Sequence, residues 1–318
     1  MIAKRKVILV GTGFVGMSMA YALINQGNAS GVNELVLIDV LKDKAEGEAM
    51  DLCHGLPCSP SHMEVKAGDY SECKDADIVV ITAGLSQKPG QTRLELSNAN
   101  AKIMKDITLQ VVNSGFKGIF LVASNPVDLM TKVVQEVSQF PTRKVIGSGT
   151  ALDTCRLRYM IGEYLNVSNK NVHAYIMGEH GDSSFVPWDH AYVGCKKIQD
   201  ILKDSKKDLS DLDKIYVEVR DAAYEIIEKK KATYYGIGLG LAKIVKTILN
   251  DTNEILTVSA HLNGEYGHKD IYIGVPAVIN SKGARELLKL ELNPEDQKRL
   301  DESCAVLTEN MKNIREVI

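Results

Sequence analysis

Three groups of residues have the types and spacing to do chemistry. The first is Gly11-Thr12-Gly13-Phe14-Val15-Gly16, which follows the apolar run Val7 to Val10 and opens a helix-like stretch. Glycines here permit a tight turn and close approach of the backbone to a ligand. A helix N-terminus directs amide donors and the positive end of its dipole at a pyrophosphate. Taken alone, such a turn is equally compatible with plain strand-turn-helix packing. Asp39 changes the balance, because it ends the next β-branched run, 23 residues beyond Gly16. A carboxylate there accepts hydrogen bonds from the adenosine ribose hydroxyls and repels a 2′-phosphate, so the pair reads as a dinucleotide site for NAD rather than NADP. The second group is Asp153 and Arg156, three apart in a helical stretch and so on one face. As an isolated surface ion pair they would matter little, whereas in a pocket the planar Arg fork suits bidentate capture of a carboxylate. The third is His180 within Gly178-Glu179-His180-Gly181-Asp182. A lone Gly-flanked His is more often structural, but it is the side chain that most readily exchanges a proton near neutral pH.

These residues need a scaffold, and the first half of the chain supplies one. Lys6 to Val10, Leu35 to Ile38, Ile78 to Thr82, Ile119 to Val122 and Lys144 to Ile146 read as strands, separated by helix-length segments. Nearly continuous apolar runs of this length suit strands buried on both faces. Strand-helix alternation makes βαβ units, hence a Rossmann-type, doubly wound parallel sheet whose ligands lie beyond the strands' C-terminal ends. The character changes near Gly147-Ser148-Gly149, which divides the chain into a nucleotide-binding domain, 1–147, and an α+β substrate domain, 148–318. In the second domain the pattern predicts helices over Ala151 to Leu165, Leu209 to Lys230 and Tyr234 to Leu249, and strands over Val172 to Met177, Ile255 to His261 and Ile271 to Ile273. Asn263 to Gly267 has hairpin chemistry, and Asn293-Pro294 opens a terminal helix with Asn as N-cap. No long linker appears, so the two domains should share a close interface.

Composition excludes several classes of function. With 38 Lys+Arg against 41 Asp+Glu in 318 residues, the formal charge of -3 gives no broad positive field for nucleic acid or anionic lipid. No run approaches the roughly 20 apolar residues of a membrane span, and Met1 to Lys6 leads into only four apolar residues, too few for a signal-peptide core. Six scattered cysteines then imply reduced thiols and a cytoplasmic location. Cys53, His54, Cys58 and His62 crowd one stretch but match no common zinc spacing, so no metal is expected. The charge runs Lys203 to Asp208 and Lys229 to Lys231 read as solvated faces.

Ala83 to Leu94, Ser124-Asn125-Pro126-Val127-Asp128, Leu152 to Arg156 and Gly178 to Asp182 occur in order and at the separations of a known family. The chain resembles the bacterial L-lactate dehydrogenases of the lactate/malate dehydrogenase family from Lys6 to its C-terminal region. That resemblance implies reversible NADH-dependent reduction of pyruvate to L-lactate at the end of glycolysis, by a homotetramer. It implies that His180 is the proton donor and acceptor, oriented by Asp153, and that Arg156 binds the substrate carboxylate. Arg93 would be carried to the reacting carbonyl by a lid hinged near Gly84 and Gly90, with Gln87 meeting the substrate's third carbon. Asn125 and Thr233 would complete the pocket. The cofactor would be contacted by Gly11, Gly13, Val15, Gly16, Asp39, Lys44, Tyr70, Ala83, Gly84, Ala123, Ser124, Asn125 and Ser148. Arg158 lies about 200° around the helix from Arg156 and so cannot serve the same pocket. By resemblance, Arg158 and His173 would instead bind fructose 1,6-bisphosphate across a two-fold subunit interface.

Leu85-Ser86, Cys155 and Phe185 to Trp188 depart from the family's pattern without replacing a reacting group. They bear on pocket width and lid kinetics rather than reaction class. The rival readings are a lactate-like malate dehydrogenase or an enzyme for bulkier branched 2-keto acids, and, in a different class, a non-catalytic NAD-binding sensor. Gln87 speaks against malate, and the intact His180, Asp153, Arg93 and Arg156 speak against the sensor.

Overall fold

The structure is a computed structural model that describes residues 5–85 and 93–318. Gln87, Gly90 and most of the expected lid fall outside the described residues, as do the side chains of Arg93 and Leu94.

In the first half, β1 (Lys6–Val10), α1 (Phe14–Gln26), β2 (Glu34–Ile38), α2 (Lys42–Gly55) and β3 (Glu64–Ala67) are followed by β4 (Ile78–Ile81), α3 (Arg93–Asn113), β5 (Ile119–Val122), α4 (Val127–Ser138) and β6 (Val145–Gly147). These strands pair in parallel in the order β3-β2-β1-β4-β5-β6. Every residue of β1, β2, β4, β5 and β6 is buried, as expected for β-branched runs covered on both faces by helices. The strand order reverses between β1 and β4. The segments leaving the C-terminal ends of β1, β4 and β5 therefore open on one crevice, and they carry Gly11 to Gly16, Thr82 to Leu85 and Ala123 to Asn125.

The second half adds α5 (Ala151–Leu165), β7 (Val172–His173), β8 (Tyr192–Val193), β9 (Lys196–Lys197), α6 (Ile198–Asp204), α7 (Ser210–Lys230) and α8 (Tyr235–Leu249). The chain ends with β10 (Glu254–Asn263), β11 (Lys269–Asn280), β12 (Gly283–Leu287) and α9 (Pro294–Arg315). Strands β10 to β12 form an antiparallel meander that joins the parallel sheet where Ser259 pairs with Gly147, giving nine strands among the described residues. One hydrophobic core therefore runs through both halves. A second core, including Leu157, Val172, Ile176, Ile198, Leu212 and Ile215, lies among α5, β7, α6 and α7.

Several elements differ from the sequence-based expectation. Of the strand expected over Val172 to Met177, only Val172–His173 forms a ladder. Ala174 and Ile176 are buried as an apolar run requires, but side chains of α5 and of the residue before it satisfy their backbone: Arg158 donates to the Ala174 carbonyl, Thr154 accepts from the Ile176 N–H and Thr150 donates to its carbonyl. The strand expected from Lys144 begins at Val145, because Thr142–Lys144 is a 3-10 turn, and it extends to Gly147 through the Ser259 pairing. Strand β11 runs far beyond Ile271 to Ile273. Gly274 and Pro276 lower its local propensity, yet it is paired on both sides. Edge strand β3 is charged and short, and was not expected at all. Lys229 to Lys231 are all exposed, as a solvated face requires, and the Lys230 ammonium also lies 3.4 Å from the Tyr234 ring centroid and 4.1 Å from that of Tyr235. The Asn293 cap forms as expected: its side-chain oxygen accepts from the Asp296 N–H at 2.9 Å, with Pro294 leading the helix.

Candidate active site

The glycine turn is built by steric necessity at two of its three glycines. Gly11 has φ +100°, and a Cβ there would lie 2.6 Å from the Ala83 nitrogen. A Cβ on Gly16 would lie 2.3 Å from the Gly11 carbonyl and 2.7 Å from Thr82 Oγ1. Gly13 behaves differently. It precedes the first residue of α1 with ordinary extended φ, and a Cβ would meet nothing within 4 Å. Packing does not require glycine there, so the open space beside it is a cradle that a side chain would fill at a helix N-terminus.

Asp39 closes the turn from the end of β2. Its Oδ2 accepts from both the N–H and the hydroxyl of Thr12 at 2.8 Å, and its Oδ1 accepts from Leu41 N–H at 3.0 Å. Burial works against its charge, but these bonds and the nearby Lys44 ammonium hold the carboxyl below its ordinary range. Lys44 also donates to the Thr12 carbonyl at 2.6 Å, locking the turn from α2. Tyr70 is half-buried close to Asp39, and burial with the nearby acidic groups pushes its phenol up to about 12. Val15 packs partly buried against the core, and Ser124 ties β5 to β4 by donating to the Ala83 carbonyl at 2.5 Å. Gly84 and Asn125 are exposed in the crevice, Ala123 is half-buried, and Ser148 is buried just after β6. The peptide bond between Asn125 and Pro126 is cis.

On the second half, α5 presents Asp153 and Arg156 on one face, with Arg156 Nη1 donating to Asp153 Oδ1 at 2.9 Å. The other carboxylate oxygen lies 2.7 Å from His180 Nδ1. Residues 27 positions apart are thus joined in one cationic-anionic-imidazole row, in which the Asp153 and Arg156 side chains are only 14% and 13% exposed. Burial opposes the imidazolium, yet the charge and hydrogen bond of Asp153, with Asp128 beyond it, lift His180 to about 9. The same partners hold Asp153 below its ordinary value despite its burial. With Nδ1 turned to Asp153, Nε2 is the nitrogen left to exchange a proton with a ligand. This row can bind a carboxylate and deliver a proton beside it.

Thr233 lies in the short link between α7 and α8. Tyr234 next to it stacks on Phe14 of the glycine turn at 5.1 Å, and a Cβ on Gly236 would lie 2.9 Å from Leu152 of α5. The link is thereby held against the turn, and the first turn of α8 lies against the helix carrying Asp153. Arg158 points elsewhere, its Nε on the Ala174 carbonyl at 3.1 Å and its guanidinium 5.2 Å from the Tyr175 ring centroid. His173 is exposed one residue before Ala174, so Arg158 and His173 share a surface away from the row.

Two further residues support the crevice and had no role assigned from the sequence, although Asp128 closes the Ser124 to Asp128 motif. Asn100, 1% exposed on α3, accepts from Leu85 N–H and donates to the Asn125 carbonyl, both at 2.8 Å. Asp128 accepts the main-chain N–H of His180 at 2.8 Å.

Two family models match the chain: the lactate/malate dehydrogenase NAD-binding domain over residues 5–147 and the lactate/malate dehydrogenase α/β C-terminal domain over residues 150–318. The chain belongs to the lactate/malate dehydrogenase family. It is accordingly an NAD-dependent oxidoreductase. Among its relatives, L-lactate dehydrogenase 1 of Bacillus cereus is 56% identical over 307 residues, covering 96% of this chain and 97% of that protein. L-lactate dehydrogenase 2 of Bacillus anthracis is similar to the same extent. A lactate dehydrogenase from a deep-sea metagenome of the Medee basin superposes with a TM-score of 0.95 at 52% identity, over 98% of this chain and 99% of that one. The minor L-lactate dehydrogenase of Enterococcus mundtii, in its ligand-bound form, superposes equally well at 49% identity over 98% of each chain.

Proposed function

We propose that the protein is an L-lactate dehydrogenase that reversibly reduces pyruvate to L-lactate with NADH. The observation that carries this reading is the Arg156-Asp153-His180 row, which offers a carboxylate-binding fork and a charged proton donor side by side. Residues 1–147 would hold NAD along Gly11 to Gly16, Asp39 and Tyr70, and residues 148–318 would hold the substrate. NAD, when bound, supplies or accepts the hydride at the substrate's C2. Arg156 binds the substrate carboxylate through the donors not turned to Asp153. His180 Nε2 gives its proton to the carbonyl oxygen as negative charge develops there, and takes it back in the reverse direction. Asp153 fixes the ring's orientation and stabilises the imidazolium. Asn125 and Thr233 close the pocket from the two halves. Arg93, by the same reading, polarises the carbonyl, and Gln87 closes over the pyruvate methyl.

The same reading extends to assembly and regulation. A cytoplasmic homotetramer, in which Arg158 and His173 face a symmetry-related copy, would gather enough positive charge at that surface to bind fructose 1,6-bisphosphate and be activated by it.

The direct test is loss of NADH absorbance on mixing with pyruvate, oxaloacetate or 2-ketoisocaproate. Pyruvate should give the highest kcat/KM. A higher value with oxaloacetate would make the enzyme a malate dehydrogenase, and no turnover with any of the three would favour an NAD-binding sensor.

A further inference from the structure

The edge of the parallel sheet opposite the catalytic crevice carries a row of cations. Strands β1, β4, β5 and β6 are neighbours and run parallel, so their N-terminal ends share that edge. A basic residue precedes each of them. Arg5 and Lys144 stand directly before β1 and β6, and Lys74 and Lys117 lie in the segments leading into β4 and β5. All four line one cleft of about 480 Å³, together with Asp75 and Asp77. The acidic groups are engaged by the backbone and side chain of Lys6: Asp75 takes its ammonium at 3.0 Å, and Asp77 Oδ2 accepts its N–H at 2.8 Å. The cations are not neutralised in return. Lys144 donates to the Lys117 carbonyl at 2.7 Å and Arg5 to the Asn250 amide oxygen at 2.9 Å, both uncharged acceptors. Lys74 and Lys117 are exposed and, among the described residues, have no hydrogen-bonding or ionic partner. Two other groups near the cleft could oppose an anion. Asp251 is occupied by the N–H and hydroxyl of Ser281, and the carbonyls of Lys246, Thr247 and Ile248 at the end of α8 are capped by the N–H groups of Asn250, Thr252 and Asp251.

We propose that this cleft is a second anion site, built for a small molecule bearing two or more phosphate charges. In a chain of formal charge -3, four cations gathered around two carboxylates repel one another, and a multiply charged anion relieves that repulsion. Lysine ammonium groups meet phosphate oxygens as point charges, while Arg5 keeps donors beyond the Nη1 that it gives to Asn250. The volume suits a small ligand, and the buried Ala76, Ile119, Ile248 and Leu249 leave an apolar wall for a compact organic body. The net negative charge of the chain argues against a nucleic acid on this face. The site is separate from the glycine turn, which lies at the C-terminal ends of the same strands, and from Arg158 and His173 on α5 and β7.

The test is calorimetric titration with inorganic pyrophosphate at low ionic strength. Saturating NADH keeps the probe out of the glycine turn, and the background Arg158→Leu with His173→Leu removes the other surface on which an anion is expected. One pyrophosphate should bind per chain, at least about tenfold more tightly than inorganic phosphate, because the extra charges meet several cations at once. Adding Lys74→Gln and Lys117→Gln should raise the Kd for pyrophosphate by about tenfold or more. Both side chains are exposed and unpartnered, so these variants should keep the parent's Tm and turnover, and pyrophosphate should raise the Tm of the parent but not theirs. The control is Lys197→Gln with Lys203→Gln, two exposed lysines on another surface, which should leave the Kd unchanged. No binding in the parent background overturns the proposal. Binding that survives Lys74→Gln with Lys117→Gln overturns it as well, by placing the anion elsewhere. An equal loss in the control pair reduces the effect to net charge and overturns it too.

Discussion

At the scale of single residues, the decisive contact is the 2.7 Å approach of His180 Nδ1 to Asp153. His180→Ala should leave NADH binding nearly intact and lower pyruvate reduction by about 10²-fold or more, since the proton is needed in the transition state. The dyad also links stability to pH. His180 is raised from 6.5 to about 9, so its contribution is complete below about 6.5 and is lost as pH rises through about 9. Asp153 is depressed, so its contribution is present above about 3.8 and is lost as pH falls through its lowered value. The drop in Tm caused by Asp153→Asn should therefore be larger at pH 6 than at pH 10; an equal drop would mean the charges do not couple in the folded protein. Substrate choice is tested at Gln87. A neutral amide can close over a methyl, whereas closing over a second carboxylate would bury an unpaired charge at a cost of several kcal/mol. Gln87→Arg should shift the ratio of kcat/KM toward oxaloacetate by at least about 10³-fold, measured with both acids under matched conditions. A ratio that barely moves would remove Gln87 from specificity.

At the scale of elements, the β1-turn-α1 unit was legible because burial on both faces leaves an unbroken apolar run and the turn demands glycine. Helix α5 spans Ala151–Leu165 as expected, with Asp153 and Arg156 on one face. What escaped was set by distant partners. The run after His173 lost its ladder to Thr154 and Arg158 of α5, and β11 formed through a Gly and a Pro because strands lie on both sides of it. The roles of Asp128 and Asn100 were hidden likewise, since each acts on backbone far from it in the sequence. The glycine turn gives a paired prediction. Gly16→Ala places a Cβ against backbone and should destabilise the fold by several kcal/mol, while Gly13→Ala enters open space and should cost no more than about 1 kcal/mol. Gly13→Ala should nevertheless weaken NADH binding by about tenfold or more in a fluorescence titration. Unweakened binding would show that the cradle beside Gly13 is not where the pyrophosphate lies.

At the scale of the whole molecule, the candidate site lies on the seam between the two halves. Strand β10 joins β6 at the Ser259-Gly147 pair, and Asp128 of the first half reaches across to Ser259 and His180 of the second. Among the described residues the nine-stranded sheet runs across this seam, its two parts joined by the Ser259-Gly147 pair. Regulation is expected on another surface, where Arg158 and His173 lie. Titrating fructose 1,6-bisphosphate should lower the apparent KM for pyruvate, and the double variant Arg158→Leu with His173→Leu should abolish that response; a wild type indifferent to the bisphosphate at every pH would remove the effector site. The most direct test of His180 as the proton carrier for pyruvate and lactate is the pH profile of kcat/KM in both directions on the same enzyme. Pyruvate reduction needs the imidazolium and should fall as pH rises through a value well above 6.5 and near 9, while lactate oxidation needs the neutral ring and should rise through the same value. Profiles that move in the same direction, or that show no group titrating in this range, would contradict it.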